Sequence, residues 1–90
     1  MSTTLRVGIP TPLRAYTDGA ARVEACGATL DALLVDLDRR HPGIRFRMVD
    51  EQGRTRPHMR IFVNGCSVFD LSRPLAPGDE VFIVQALSGG

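Results

Sequence analysis

The side chains able to do chemistry in this chain are few and scattered. Its histidines, His41 and His58, stand before Pro42 and after Pro57, positions that read as a helix end and a loop rather than as general bases. Asp36 and Asp38 are two residues apart in a helical stretch, so they point to different faces and form no carboxylate pair. Cys26 and Cys66 lack the spacing and the neighbouring histidines of a zinc or thioredoxin-type site, and their apolar surroundings read as those of reduced core thiols. No G-x-S-x-G elbow, phosphate loop or metal-ligand cluster is present. The terminus is different. The chain ends Ala86-Leu87-Ser88-Gly89-Gly90, and glycine, having no Cβ, lets such a tail thread a narrow channel and present its last carbonyl to a nucleophile. The group with chemistry to do is then the Gly90 carboxylate, as something acted upon. The bland alternative is a frayed end.

The bulk properties agree with that division of labour. At 90 residues, 43% hydrophobic and 23% charged, this is one small domain. A chain of this size buries about 60% of its unfolded surface and is expected to be stable by roughly 5–13 kcal/mol. Its interior is too small to enclose a substrate, which argues for a carrier, a subunit or a binding module rather than a self-sufficient enzyme. Net charge is +1, so no global field steers it to nucleic acid or to a membrane. All eleven basic residues are arginine, which leaves no lysine to serve as an isopeptide acceptor. No apolar leader opens the chain and no run approaches the ~20 residues of a membrane span, so a cytoplasmic location is expected.

The elements that must hold the terminus can be read from periodicity. Leu5, Val7 and Ile9 alternate with polar or small residues as in a half-buried strand that Pro10 and Pro12 end. Asp18-Gly19 turns the chain into a return strand, Arg22 to Cys26. Leu30, Leu33, Leu34 and Leu37 form one helical stripe, with Thr29 as N-cap, Asp31 in the first turn and Pro42-Gly43 as the stop. Residues 44–58 read as an arginine-rich surface excursion anchored by Phe46, Met48 and Val49, turning at Asp50 to Gly53. Ile61-Phe62-Val63, the Asn64-Gly65 turn and Ser67-Val68-Phe69 read as a hairpin, and Glu80 to Val84, apolar on both sides, as a central strand. The expected fold class is α+β, one main helix packed across a mixed sheet of four to five strands, with residues 1–84 as the domain and 85–90 as a flexible tail.

The hairpin, the leucine-rich helix, Val63-Asn64-Gly65, Pro74-Leu75 with Gly78-Asp79-Glu80-Val81, and the closing Gly89-Gly90 together resemble the MoaD/ThiS-type sulfur carriers of the ubiquitin-like β-grasp fold. The resemblance spans almost the whole chain. It implies that a ubiquitin-activating-type adenylyltransferase uses ATP and Mg²⁺ to adenylate Gly90, that sulfide or a persulfide displaces AMP, and that the resulting thiocarboxylate gives its sulfur to an acceptor. The chain itself binds no cofactor on this reading. Gly90 is the modified residue; Ala86, Leu87, Ser88 and Gly89 are the threaded segment.

The resemblance also implies a docking face beside the tail, with Phe62, Phe82 and Val84 as candidates; the same side chains also fit a core role. Arg14 matches an arginine the family places after its first strand, and the cluster from Arg45 to Arg60 fits either an acidic partner surface or a solvated loop. The long 45–59 segment and the Gln85-Ala86-Leu87-Ser88 tail are closer to carriers serving cysteine or another sulfur metabolite. The expected partners are the adenylyltransferase and a sulfur-accepting synthase, cysteine synthase-like or a molybdopterin synthase large subunit, with the free chain a monomer. The small subunit of molybdopterin synthase, a ubiquitin-like modifier and an unmodified β-grasp adaptor stand as alternatives.

Overall fold

The computed structural model describes residues 4–86; Leu87, Ser88, Gly89 and Gly90 lie outside the described residues. Five strands form one sheet: β1 (Thr4–Gly8), β2 (Arg22–Cys26), β3 (Met59–Val63), β4 (Cys66–Ser67) and β5 (Glu80–Gln85). Their spatial order is β2-β1-β5-β3-β4, with β1 and β5 parallel and the other pairs antiparallel. The expected mixed sheet is therefore present, and β5 is its middle strand. Helix α1 (Leu30–Arg40) covers one face, and its four stripe leucines are fully buried against Val7, Ile61, Val63, Val81 and Ile83. Each such leucine contributes about 1.5–3 kcal/mol of burial. Thr29 caps the helix as expected, its Oγ1 accepting the Ala32 N–H at 3.2 Å. Gly27 lets β2 run close under α1: a Cβ there would stand 2.3 Å from the Leu33 backbone nitrogen.

Several sequence expectations are corrected. The link between β1 and β2 is a 3-10 helix, Thr11–Thr17, that buries Leu13 and Thr17, where a simple turn was expected. Residues 44–58 are not a loose excursion. They open with a short helix, α2 (Ile44–Met48), which buries Ile44, Met48 and the following Val49. Phe46, expected as an anchor, is 59% exposed because it points away from the face that carries Ile44 and Met48. The second strand of the hairpin stops at Ser67, leaving Phe69 exposed. Cys66 is exposed on this two-residue edge strand and Cys26 is half-buried, so neither belongs to the core.

The Asn64-Gly65 hairpin was expected, and its asparagine does more than turn the chain. Asn64 Nδ2 donates to Asp79 at 2.9 Å, and its Oδ1 accepts the Glu80 N–H at 3.0 Å. Asp79 in turn accepts the Ala76 N–H at 2.9 Å. The two most distinctive motifs of the sequence thus form one clasp at the start of β5, at the end away from the tail.

Candidate functional site

Everything the tail can do is positioned by β5. Alternation along this strand buries Val81 and Ile83 under α1 and turns Phe82 and Val84 to the opposite, uncovered face. The register brings Phe62 beside Phe82 on β3 and Gly8 beside it on β1; Arg60 stands opposite Val84. Phe62 and Phe82 are half-buried and Val84 is 42% exposed, so the three candidate docking residues share one open face. Of the docking and core roles they fit from sequence, the structure places them outside the helix-covered core. Nearer the start of β5 the same face is charged, with Arg6 paired to Glu24 on one side and Glu80 on the other.

Gly8 shapes the apolar half. The Phe82 ring lies over it so closely that a Cβ at residue 8 would meet Phe82 Cδ1 at 2.5 Å. The Arg22 guanidinium completes the stack, 6.0 Å from the ring centre. Beside this stack an open groove of about 620 Å³ runs from Gly8 along Phe82 to Gln85, walled by Pro10 and Pro12, with Arg14 and Arg22 on its rim. Arg14 is held there by its Nε, which donates to the Ile9 carbonyl at 3.0 Å. A second hollow, about 430 Å³, lies beside Gln85 among Leu13, Tyr16, Arg47 and His58.

The arginine cluster is largely occupied within the molecule. Arg45 pairs with Asp31 at 3.0 Å, and Arg47 donates to the Tyr16 hydroxyl at 2.7 Å. Arg56 donates to the Phe46 carbonyl at 2.7 Å and stacks 4.6 Å from the Phe46 ring centre. Arg60 lies 5.9 Å from the Phe69 ring centre. These pairings account for the exposed Phe46 and Phe69, which sequence periodicity alone could not place. The two helix carboxylates do separate jobs. Asp36 accepts the Cys26 N–H at 2.8 Å and pairs with Arg39 and Arg40; the Cys26 hydrogen bond, then Arg39, holds its carboxyl below the usual range. Asp38 accepts the N–H groups of Gly43 and Arg45, joining α1 to α2. Among the described residues no three His, Cys, Asp or Glu side chains converge as metal ligands would, and no helix is long and apolar enough to cross a membrane.

The path to the terminus is only partly free. Gln85 still pairs with Met59, and the Ala86 N–H donates to the His58 carbonyl at 2.8 Å. Residues 85–90 were expected as a flexible tail; instead Gln85 is part of β5, and sheet hydrogen bonding reaches Ala86, the first residue of the segment expected to thread, while its side chain is exposed.

A family model matches residues 7–90, a span that runs through this geometry to the last glycine: that of the ThiS family. The chain belongs to the ThiS family. Sulfur carrier protein CysO of Mycobacterium tuberculosis is 38% identical to it over 89 residues, covering 93% of this chain and 96% of that protein. CysO of Mycobacterium bovis matches to the same extent. Among solved structures, a chain of the Amycolatopsis orientalis BexX/CysO complex superposes with a TM-score of 0.88 at 36% identity, covering 96% of this chain and 99% of that one. Mycobacterium tuberculosis CysO gives 0.87 at 36% identity, over 92% and 99%. The small archaeal modifier protein SAMP1 of Haloferax volcanii gives 0.81 at 24% identity, over 97% and 99%, a likeness of fold.

For this ThiS-family protein, sequence reasoning named three residues that share the open face but missed the groove and the glycine beneath Phe82. A signal for the latter was available. Gly8 is the one residue of β1 without a side chain, and it sits where the alternation calls for an open-face position.

Proposed function

We propose that this chain is a sulfur carrier whose Gly90 carboxylate is adenylated and converted to a thiocarboxylate, with cysteine or a related sulfur metabolite as the final product. One observation carries the reading: the likeness to sulfur carrier protein CysO covers 93% of this chain at 38% identity. The chemistry follows from the terminus. A carboxylate is a poor acyl donor because oxide is a poor leaving group. In the adenylate the Gly90 carbonyl carbon is bonded through oxygen to AMP, with pyrophosphate released from ATP. Sulfide forms the new C–S bond as the C–O bond to AMP breaks, and the thiocarboxylate that results is ionised at neutral pH and nucleophilic.

This chain supplies recognition and delivery rather than catalysis. The ATP and Mg²⁺ belong to the activating enzyme, a ubiquitin-activating-type adenylyltransferase, and the sulfur passes to a separate synthase. The open face around Phe82 is the handle beside the tail, and the missing lysines leave the activated carbonyl no side-chain amine on a sister molecule. Incubation with the adenylyltransferase from the same genome, ATP, Mg²⁺ and sulfide should raise the intact mass by the difference between sulfur and oxygen. Deleting Gly90 should abolish that change and leave the melting curve as it was. An unchanged wild-type mass, with an enzyme shown to be active, would sink the carrier reading. Adducts that survive reductant and hydroxylamine would favour a protein modifier instead.

A further inference from the structure

β5 is paired on both sides for only part of its length. On the β3 side the ladder continues to Gln85 and on to the Ala86–His58 bond. On the β1 side it stops at the pair Gly8–Phe82, because the chain turns away at Pro10 into the 3-10 helix. Backbone groups of successive strand residues point to opposite sides. The Asn64–Glu80 and His58–Ala86 bonds show that Glu80, Phe82, Val84 and Ala86 face β3, so Val81, Ile83 and Gln85 face the other way. In a continuing parallel ladder the donor to the Ile83 carbonyl would be residue 10, a proline with no N–H. The peptide groups of Gln85 have no strand opposite them on that side. On this side the groups without a strand opposite are therefore the Ile83 carbonyl and the N–H and carbonyl of Gln85, a short edge in the middle of the sheet, and the 620 Å³ groove lies along it.

The lining states what such an edge would accept. Phe82 and Val84 give apolar surface, Arg14 and Arg22 give positive charge, and no aspartate or glutamate lines the groove. Its far end is Gln85, the last residue of β5. We infer that this groove takes a short extended segment of the activating enzyme, added as a strand to β5 at Ile83–Gln85, with an apolar side chain on Phe82 and Val84 and a carboxylate on Arg14 and Arg22. Main-chain bonds supply the affinity in this mode and alternate side chains the specificity. The inference rests on the carrier reading only for the identity of the partner. An edge this short, walled by Pro10 and Pro12, does not suit the pairing of two whole sheets, so a second copy of the chain is the occupant to be tested against.

The full chain, ¹⁵N-labelled, is titrated with the blocked pentapeptide acetyl-Val-Thr-Glu-Thr-Val-amide, whose valines and glutamate fall on one face of an extended strand, as Phe82 and Arg22 do. Saturable shifts centred on the amides of Gly8, Ile83 and Gln85 are expected, with about tenfold weaker binding to the Arg22→Glu variant and of a peptide carrying lysine in place of glutamate. Shifts centred elsewhere, no saturable shift, or equal binding of the lysine peptide overturns the proposal. Shifts that follow protein concentration without peptide overturn the chosen occupant in favour of self-association. In the adenylation assay, Arg22→Glu should raise the KM for the carrier about tenfold with kcat retained, and Arg22→Lys should restore it. If the wild type is adenylated and Arg22→Glu leaves KM unchanged, the groove proposal fails while the carrier reading stands. If the wild type is not modified, the carrier reading fails and the peptide titration still decides the groove.

Discussion

The two faces of β5 come from the same six residues and have opposite fates. Val81 and Ile83 lie beneath α1, 1% and 3% exposed, while Phe82 and Val84, equally apolar, lie on the opposite face, which no helix among the described residues covers. Hydrophobicity does not distinguish them; the side on which a single helix lies does. A small domain with one main helix across its sheet has one protected face and must leave the other to solvent or to a partner. The lesson is that apolar residues here divide into those that hold the fold and those the fold presents. Substitutions on the two faces should therefore fail in different ways.

The largest effect should come from the covered face. Leu34→Ala removes a fully buried side chain and should cost ~2–5 kcal/mol in urea melts, a large share of the expected total. A loss below ~1 kcal/mol would mean the two faces are not so unequal. Next comes Gly8→Ala, which drives a Cβ against the Phe82 ring and should cost ~1–3 kcal/mol. The double variant Gly8→Ala with Phe82→Ala should recover part of that loss, because the clash requires both side chains. Simple additivity would show that the glycine is not there for the ring.

A smaller effect is set by pH. Asp36, on the covered side, and Asp79, in the clasp, both have carboxyls held below the ordinary value, Asp36 chiefly by the Cys26 N–H and Asp79 chiefly by the Ala76 N–H. The folded state then binds fewer protons than the unfolded one. This contribution is complete above the ordinary carboxyl pKa of about 3.9 and is lost as pH falls through the lowered values. Acid titration followed by circular dichroism should show that loss, and Asp36→Asn should flatten it. The smallest change in stability is expected at Val84→Ser on the open face, within ~0.5 kcal/mol, with a raised KM for the carrier in the adenylation assay. A large drop in melting temperature would move Val84 into the set that holds the fold.

What was legible in the sequence follows the same division. The stripe of α1, the Asn64-Gly65 turn and the central position of β5 are set by local periodicity and turn chemistry, so they could be read directly. The short helix α2 could not, because Pro42-Gly43 hides the join and five residues are too few to establish a period. The arginines from Arg45 to Arg60 read as a charged loop because their partners, Asp31, Tyr16 and the Phe46 and Phe69 rings, are set mostly by tertiary packing. The side of the sheet that Phe82 faces was also beyond reach, since β5 is apolar at both alternating positions. The reading of Gly89 and Gly90 rests on other ground, the chemistry of a carboxylate, and both lie outside the described residues.

The central position of β5 has a mechanical consequence. Were the terminus drawn into a partner's channel, as the proposed function requires, the load would fall along the last strand. Here that strand is flanked by a parallel neighbour, β1, and an antiparallel one, β3, so tension on the tail acts in shear across both ladders instead of peeling bonds one at a time. The clasp of Asn64 and Asp79 anchors the opposite end of the same strand. A pull applied at Ala86 would thus be met by both ladders at once.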